Sequence, residues 1–167
     1  MQLKHRRSCI LLFNLSAPFV RLRTDGFFLL IQTAAMNKYI VVYAICALAM
    51  LCIDMVWLGV VAKSYYRGKI GHLMAAEVNF PAGMIFYLLF PIGIMYFSHA
   101  TWAVSSPWLT TFATGALFGF FAYATYDLTN LSTLRGWPVL LSMIDVGWGT
   151  LISGVVAVIA RAVFAQI

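Results

Sequence analysis

Residues 37–62 read N-K-Y-I-V-V-Y-A-I-C-A-L-A-M-L-C-I-D-M-V-W-L-G-V-V-A, and after Lys38 one charged residue, Asp54, interrupts the run. At 1.5 Å per residue such a helix is roughly 39 Å long, enough to cross a hydrocarbon core of about 30 Å. Lipid offers no hydrogen bonds, so a segment inside it must satisfy its own backbone as a helix. The same pattern returns after short polar connections, which predicts an all-α integral membrane four-helix bundle with spans of about 37–62, 80–98, 108–128 and 138–164. Pro81 sits in the first turn of the second span, where a missing N–H costs nothing. Pro91 and Gly93 are expected to kink that helix. With 63% hydrophobic and 10% charged residues, the chain carries more apolar surface than one soluble core can absorb.

The net charge of +6 could suggest nucleic acid. Six of the eleven Lys and Arg precede Tyr39, however, and the others flank apolar segments, which is juxtamembrane placement. The expected partner is therefore the lipid bilayer and not nucleic acid. Residues 1–35 break the pattern, because their apolar runs are short and contain Asn14 and Pro18. They read as an N-terminal extension outside the fold, with 36–167 as a single transmembrane domain.

Four crossings put the first and third connections on one side. Lys63, Arg67, Lys69, Glu77 and Arg135 lie there, while residues 99–107 hold no Lys, Arg, Asp or Glu. Counted from Met36, four positive residues on this polar side oppose Lys38 and Arg161, so the positive-inside rule makes it cytoplasmic. Retaining the five Lys and Arg before residue 36 would reverse the assignment. Arg161, near the end of the fourth span, is expected to snorkel to the interface. Trp102 and Trp108 are expected at interface level.

Only five acidic residues exist, and three lie in or against the spans: Asp54, Asp127 and Asp145. Ionisable groups at that depth are expensive and are functional-site candidates by default. Asp54 lies roughly 13 Å before Lys63 and Asp145 roughly 10 Å after Pro138, so antiparallel helices bring them to similar depth. Asp54-x-x-Trp57 and Asp145-x-x-Trp148 share the pattern D-x-x-W, and positions i and i+3 are neighbours, so each Trp can shield its Asp or donate to it. Two charges brought together there repel, so one holds a proton or a cation lies between them. The plainer alternative is interhelical hydrogen-bond glue worth about 1 kcal/mol per contact.

Asp127 falls at the expected exit of the third span, where the helix dipole disfavours an anion. Arg135 is the nearest offsetting charge, and Asn130 reads either as a C-cap or as part of a ligand pocket with Asp127. Gly115, Gly119, Tyr123 and Asp127 follow at four-residue steps, as do Gly149, Ser153 and Ala157, which predicts close helix packing. The histidines are too few and scattered for a metal cluster, no cofactor-binding fingerprint is present, and neither a metal nor a cofactor is expected.

Asp54-x-x-Trp57-Leu58-Gly59, Phe86-Tyr87-Leu88, the run G-A-L-F-G-F-F-A-Y-A-T-Y-D-L-T-N-L-S-T-L-R-G-W-P over 115–138, and Asp145-x-x-Trp148-Gly149 together resemble a bacterial family of predicted four-helix membrane proteins, domain of unknown function 2177. The resemblance covers about 36–164 and implies a multi-pass protein of the cell inner membrane, with no activity or catalytic residue attached. The functional expectation is an intramembrane polar site of clustered carboxylates that binds a small cation, proton or polar ligand. Its candidate residues are Asp54, Trp57, Tyr123, Asp127, Asn130, Asp145 and Trp148, supported by Arg135. Four helices make a thin wall for a transporter, which suggests a homo-oligomer. The rival readings are a lipid-modifying membrane enzyme, with an acid as general base assisted by Tyr123 or Tyr126, and an accessory or structural subunit.

Overall fold

The computed structural model describes the backbone of residues 17–167, with side chains at Thr33 and from Met36 onward. Every regular element among them is helical: α1 (Ala17–Val56), a π-helical turn (Trp57–Val61), α2 (Lys63–Ile70), α3 (Phe80–Ser98), α4 (Trp108–Thr133) and α5 (Val139–Gln166), with short 3-10 turns at Gly71–Leu73 and His99–Thr101. The chain divides into two compact units, 1–38 and 39–167. What is known of the first is that α1 already runs through it from Ala17; the expectation for residues before Ala17 lies outside the described residues.

Among the described residues three segments are long and apolar enough to cross a membrane: Met36–Val61, Phe80–Thr101 and Val139–Gln166. These match three of the expected spans within a few residues. Helix α4 does not reach the same apolarity, because Thr110, Thr111, Thr114, Thr125, Thr129 and Thr133 lie along it. Most of these hydroxyls are bonded back onto their own helix: Thr114 Oγ1 donates to Thr110 O at 3.0 Å, Thr125 to Phe121 O at 2.7 Å, Thr129 to Thr125 O at 2.7 Å and Thr133 to Thr129 O at 2.7 Å. A hydroxyl satisfied in this way no longer needs water.

The expected start of the second span is observed. Asn79 caps α3, its side chain accepting from the Ala82 N–H at 3.2 Å, and Pro81 occupies the first turn. The first polar connection is more ordered than expected, since Lys63–Ile70 forms α2. Helix α4 continues one turn beyond the expected exit, to Thr133, and Leu134 N closes it on Asn130 O at 2.8 Å. Asn130 is therefore inside the helix and not its cap. The turn to α5 passes through Gly136, whose φ of 76° lies in the left-handed region that other residues enter only with strain.

Helices α4 and α5 run antiparallel at close range. A Cβ on Gly115 would strike Ala157 Cβ and Ser153 O, one on Gly119 would strike Gly149 O and Ser153 Oγ, and one on Gly149 would enter the Tyr123 ring. The small-residue ladders predicted for the two helices thus pack on each other. Helix α1 contributes a stripe at four-residue steps, Val42, Cys46 and Met50, all fully buried against Ile94 of α3 and Ile152, Val156, Ala157 and Ala160 of α5. Helix α3 closes on α4 through aromatic contacts: Phe90 with Tyr123, and Phe97 stacked on Phe118 with centroids 5.1 Å apart. Outside this core the helices present Leu48, Leu88, Leu89, Phe97, Leu109, Leu140 and Met143, the surface lipid would cover.

Candidate functional site

The α1 stripe does not end at Met50. One step on stands Asp54, 3% exposed, facing inward with the apolar residues before it. Its two carboxylate oxygens are taken by two other helices: Tyr87 Oη of α3 donates to Oδ2 at 2.8 Å, and Trp148 Nε1 of α5 donates to Oδ1 at 2.8 Å. The D-x-x-W pattern therefore works across helices. Trp148 donates to Asp54, not to Asp145 on its own helix. Trp57 instead stacks flat on Trp148, centroids 4.3 Å apart and planes within 8°, and its own buried N–H has no partner. The π-helical turn beginning at Trp57, closed by Ala62 N on Trp57 O at 2.7 Å, leads from this stack into α2.

Helix α2 then returns a residue to the site. Tyr66 donates its phenolic hydrogen to Asp145 Oδ1 in a short hydrogen bond. Burial pushes the Tyr66 phenol above its ordinary range, and the neighbouring carboxylate of Asp145 pushes it further, so it stays a protonated donor at neutral pH. Nothing in the spacing of Tyr65 and Tyr66 indicated this role; only the short α2 aims the ring back at α5. Tyr87 was within the run quoted for the family resemblance but was not singled out for chemistry.

Asp127 lies on the α4 face that meets α5 and is fully buried, and neither carboxylate oxygen has a hydrogen-bond partner. Its polar neighbours are Asp145, Ser142 and Trp137. The Trp137 N–H is spent on Ser142 Oγ at 2.9 Å. Arg135, the expected counter-charge, is exposed and pairs with neither oxygen. It stands beyond the end of α4, whereas Asp127 lies within the helix. Asn130 is half-buried beside Tyr126, and Tyr126 is itself exposed with its ring edge on Trp137. Tyr123 is half-buried against Gly149 and Phe90.

The structure thus brings Asp54, Trp57, Tyr123, Asp127, Asp145 and Trp148 to the end of the helices at which α2 lies, leaves Asn130 at the edge, and leaves Arg135 out. Lys63, Arg67 and Lys69 are exposed as well. Among the described residues no group of three or more His, Cys, Asp or Glu is placed to hold a metal ion.

The opposite end is built around a residue whose role the sequence did not reveal. Arg161 was expected to snorkel, yet it is 4% exposed. It donates to Thr111 Oγ1 at 2.9 Å, Ala103 O at 3.2 Å and Ser106 O at 2.6 Å, with its guanidinium 4.1 Å from the Trp108 ring centroid. Trp102, expected at the interface, is buried and donates to Ser98 Oγ at 3.2 Å. The signal for Arg161 was available: it is the next four-residue step after Gly149, Ser153 and Ala157.

A family model described as "Predicted membrane protein (DUF2177)" matches residues 39–162. The chain belongs to that family. No curated protein matches it, and no solved structure does. The DUF2177 match begins at the first residue of the second compact unit and takes in Asp54, Asp127, Asp145 and the aromatic donors between them.

Proposed function

We propose that this DUF2177 protein crosses the cell inner membrane four times and binds a small cation, a proton or a small polar ligand at the carboxylates near its polar connections. The observation that carries the reading is the donor set. Asp54 and Asp145 are held by Tyr87, Trp148 and Tyr66, all neutral, and among the described residues no Lys or Arg bonds to either acid. Neutral donors orient a carboxylate without cancelling its charge, and charge buried in a low dielectric requires compensation. That requirement is the reason to expect an exchangeable positive ligand. Four crossings are supported by ring contacts at the other end: Tyr39 at the start of the α1 span, His99 of the second connection and Phe164 of α5 touch one another.

A second reading is favoured for Asp54 alone. Both its oxygens are satisfied, and it joins α1, α3 and α5, so it serves as interhelical glue even if the ligand sits at Asp145 and Asp127.

The test is labelling by a lipid-soluble carbodiimide, followed by mass spectrometry of the full chain in liposomes. Labelling of Asp145 that slows several-fold on adding sodium or an organic amine, or that accelerates several-fold as the pH is lowered, supports the binding reading. Labelling insensitive to all three, across pH, would remove it.

A further inference from the structure

Asp127 asks more of its ligand than Asp54 or Asp145 does. Its carboxylate is sealed from the outside, and both oxygens lack a donor. The Trp137 N–H is directed to Ser142 Oγ, which leaves the Ser142 hydroxyl hydrogen as the one neutral donor beside the acid. A carboxylate in that environment keeps none of its hydration, and a single neutral hydroxyl beside it does not offset a buried charge. Something must occupy it.

The choice among occupants is narrow. A metal ion needs several ligands, and the carboxylate neighbour is Asp145, with no third His, Cys, Asp or Glu in position among the described residues. An organic cation needs room, but α4 and α5 press together at this face, with Tyr123 packed onto Gly149 one turn away. A proton needs neither. We infer that the ligand of this site is a proton, carried by Asp127 and exchanged with the polar side by way of Asp145 and Tyr66; the inference rests on the binding reading above and names its ligand.

The groups facing Asp127 are consistent with that route. From α5 comes Asp145, from α2 Tyr66, and on α4 itself Tyr126; Arg135, Lys63, Arg67 and Lys69 stay outside. Tyr66 is half-buried on a helix of the polar connection and bonds Asp145, the acid whose charge acts on Asp127, so a hydroxyl and a carboxyl lie between the outer face and the sealed acid. Each transfer conserves charge: a proton reaching Asp145 from water, relayed across the Tyr66 hydroxyl, passes to the Asp127 carboxylate and neutralises it. The return leaves Asp127 anionic and without a hydrogen bond, so release requires α4 and α5 to part or water to enter. Proton release is thereby tied to a change in the packing of this helix pair.

Infrared difference spectroscopy of the full chain in liposomes, titrated with pH and exchanged into heavy water, tests this. The expected result is a protonated-carboxyl C=O band at neutral pH that shifts on deuteration, vanishes in Asp127→Asn and persists in Asp54→Asn. Asp127→Glu keeps an acid at the site and should move the band without removing it, which guards against a variant that merely misfolds. In Tyr66→Phe the band should remain but deuterate at least several-fold more slowly. A band abolished by sodium or by an organic amine would overturn the proton assignment while leaving the binding reading intact. Absence of any such band, together with carbodiimide labelling indifferent to every cation, would overturn both.

Discussion

The residues of the site divide by what satisfies them. Asp54 is fully satisfied, Asp145 is bonded by Tyr66, and Asp127 is not bonded at all. Removing a donor from a buried carboxylate costs about 1–3 kcal/mol. Trp148→Phe keeps the ring on Trp57 and removes only the N–H, so it should destabilise by about that amount in denaturant unfolding from micelles. Tyr87→Phe should do the same through the other oxygen. Tyr66 sets an alkaline limit. Its folded-state phenol lies above the ordinary value of about 10, so the folded protein holds the proton longer than the unfolded chain. The stability this contributes is complete below about pH 10 and is lost as pH rises towards the folded value. The unfolding midpoint of the unaltered protein should therefore fall more steeply than that of Tyr66→Phe above about pH 10. Equal slopes would show that the Tyr66–Asp145 bond does not contribute. The acids were legible as residue types, but their partners were not, because Tyr66, Tyr87 and Trp148 meet them from elements 33 to 94 positions away in sequence.

At the scale of elements, the four-residue repeats held most of the information. Thr111, Gly115, Gly119, Tyr123 and Asp127 lie against Arg161, Ala157, Ser153, Gly149 and Asp145, so one seam runs from a buried cation to buried acids. The small residues in the middle were readable from spacing, and so was their purpose. The ends were not, because the same periodicity fits a snorkelling arginine or a carboxylate at a helix exit until the length of α4 is known. Gly119→Ala forces a Cβ into Gly149 O and Ser153 Oγ and should cost about 1–3 kcal/mol as overpacking. Gly147→Ala meets nothing within 4 Å and should be neutral or gain up to about 1 kcal/mol from helix propensity. Thermal unfolding of the pair separates seam packing from a general intolerance of substitution. Arg161→Met keeps apolar bulk but strands the Ser106 carbonyl, while Thr111 Oγ1 keeps Thr101 and Ala103 O keeps the Ser106 N–H, and should cost about 1–3 kcal/mol. Faster proteolysis within residues 99–107 is the second sign to look for.

For the molecule as a whole the open matter is topology, since α4 is the one long helix whose composition alone does not mark it as a span. Two sets of contacts bear on it. Tyr66, between the first two spans, bonds Asp145 near the start of α5, so the first and third connections share an end. Arg161, near the end of α5, bonds Ala103 and Ser106 of the second connection, which therefore lies at the other end. A helix joining these two ends beside α5 has to cover the same thickness as α5 does, and the back-bonded threonines remove the main objection to its doing so in lipid. These contacts support the four crossings proposed above, which put Lys63, Arg67, Lys69 and Arg135 together at one face. On that proposal, and with Met36 as the start, the positive-inside rule predicts that this face is cytoplasmic and Ile167 periplasmic. Cysteines introduced near Lys69 and near Arg135 should then resist membrane-impermeant maleimide in intact cells, and one at Val104 should react. Reaction at Lys69 and Arg135 without reaction at Val104 would invert the protein in the membrane. Opposite behaviour of Lys69 and Arg135 would remove α4 as a span. Repeating the assay on a chain beginning at Met36 tests whether the residues before it, which lie outside the family match, carry any orienting charge; unchanged insertion and labelling is the expected result.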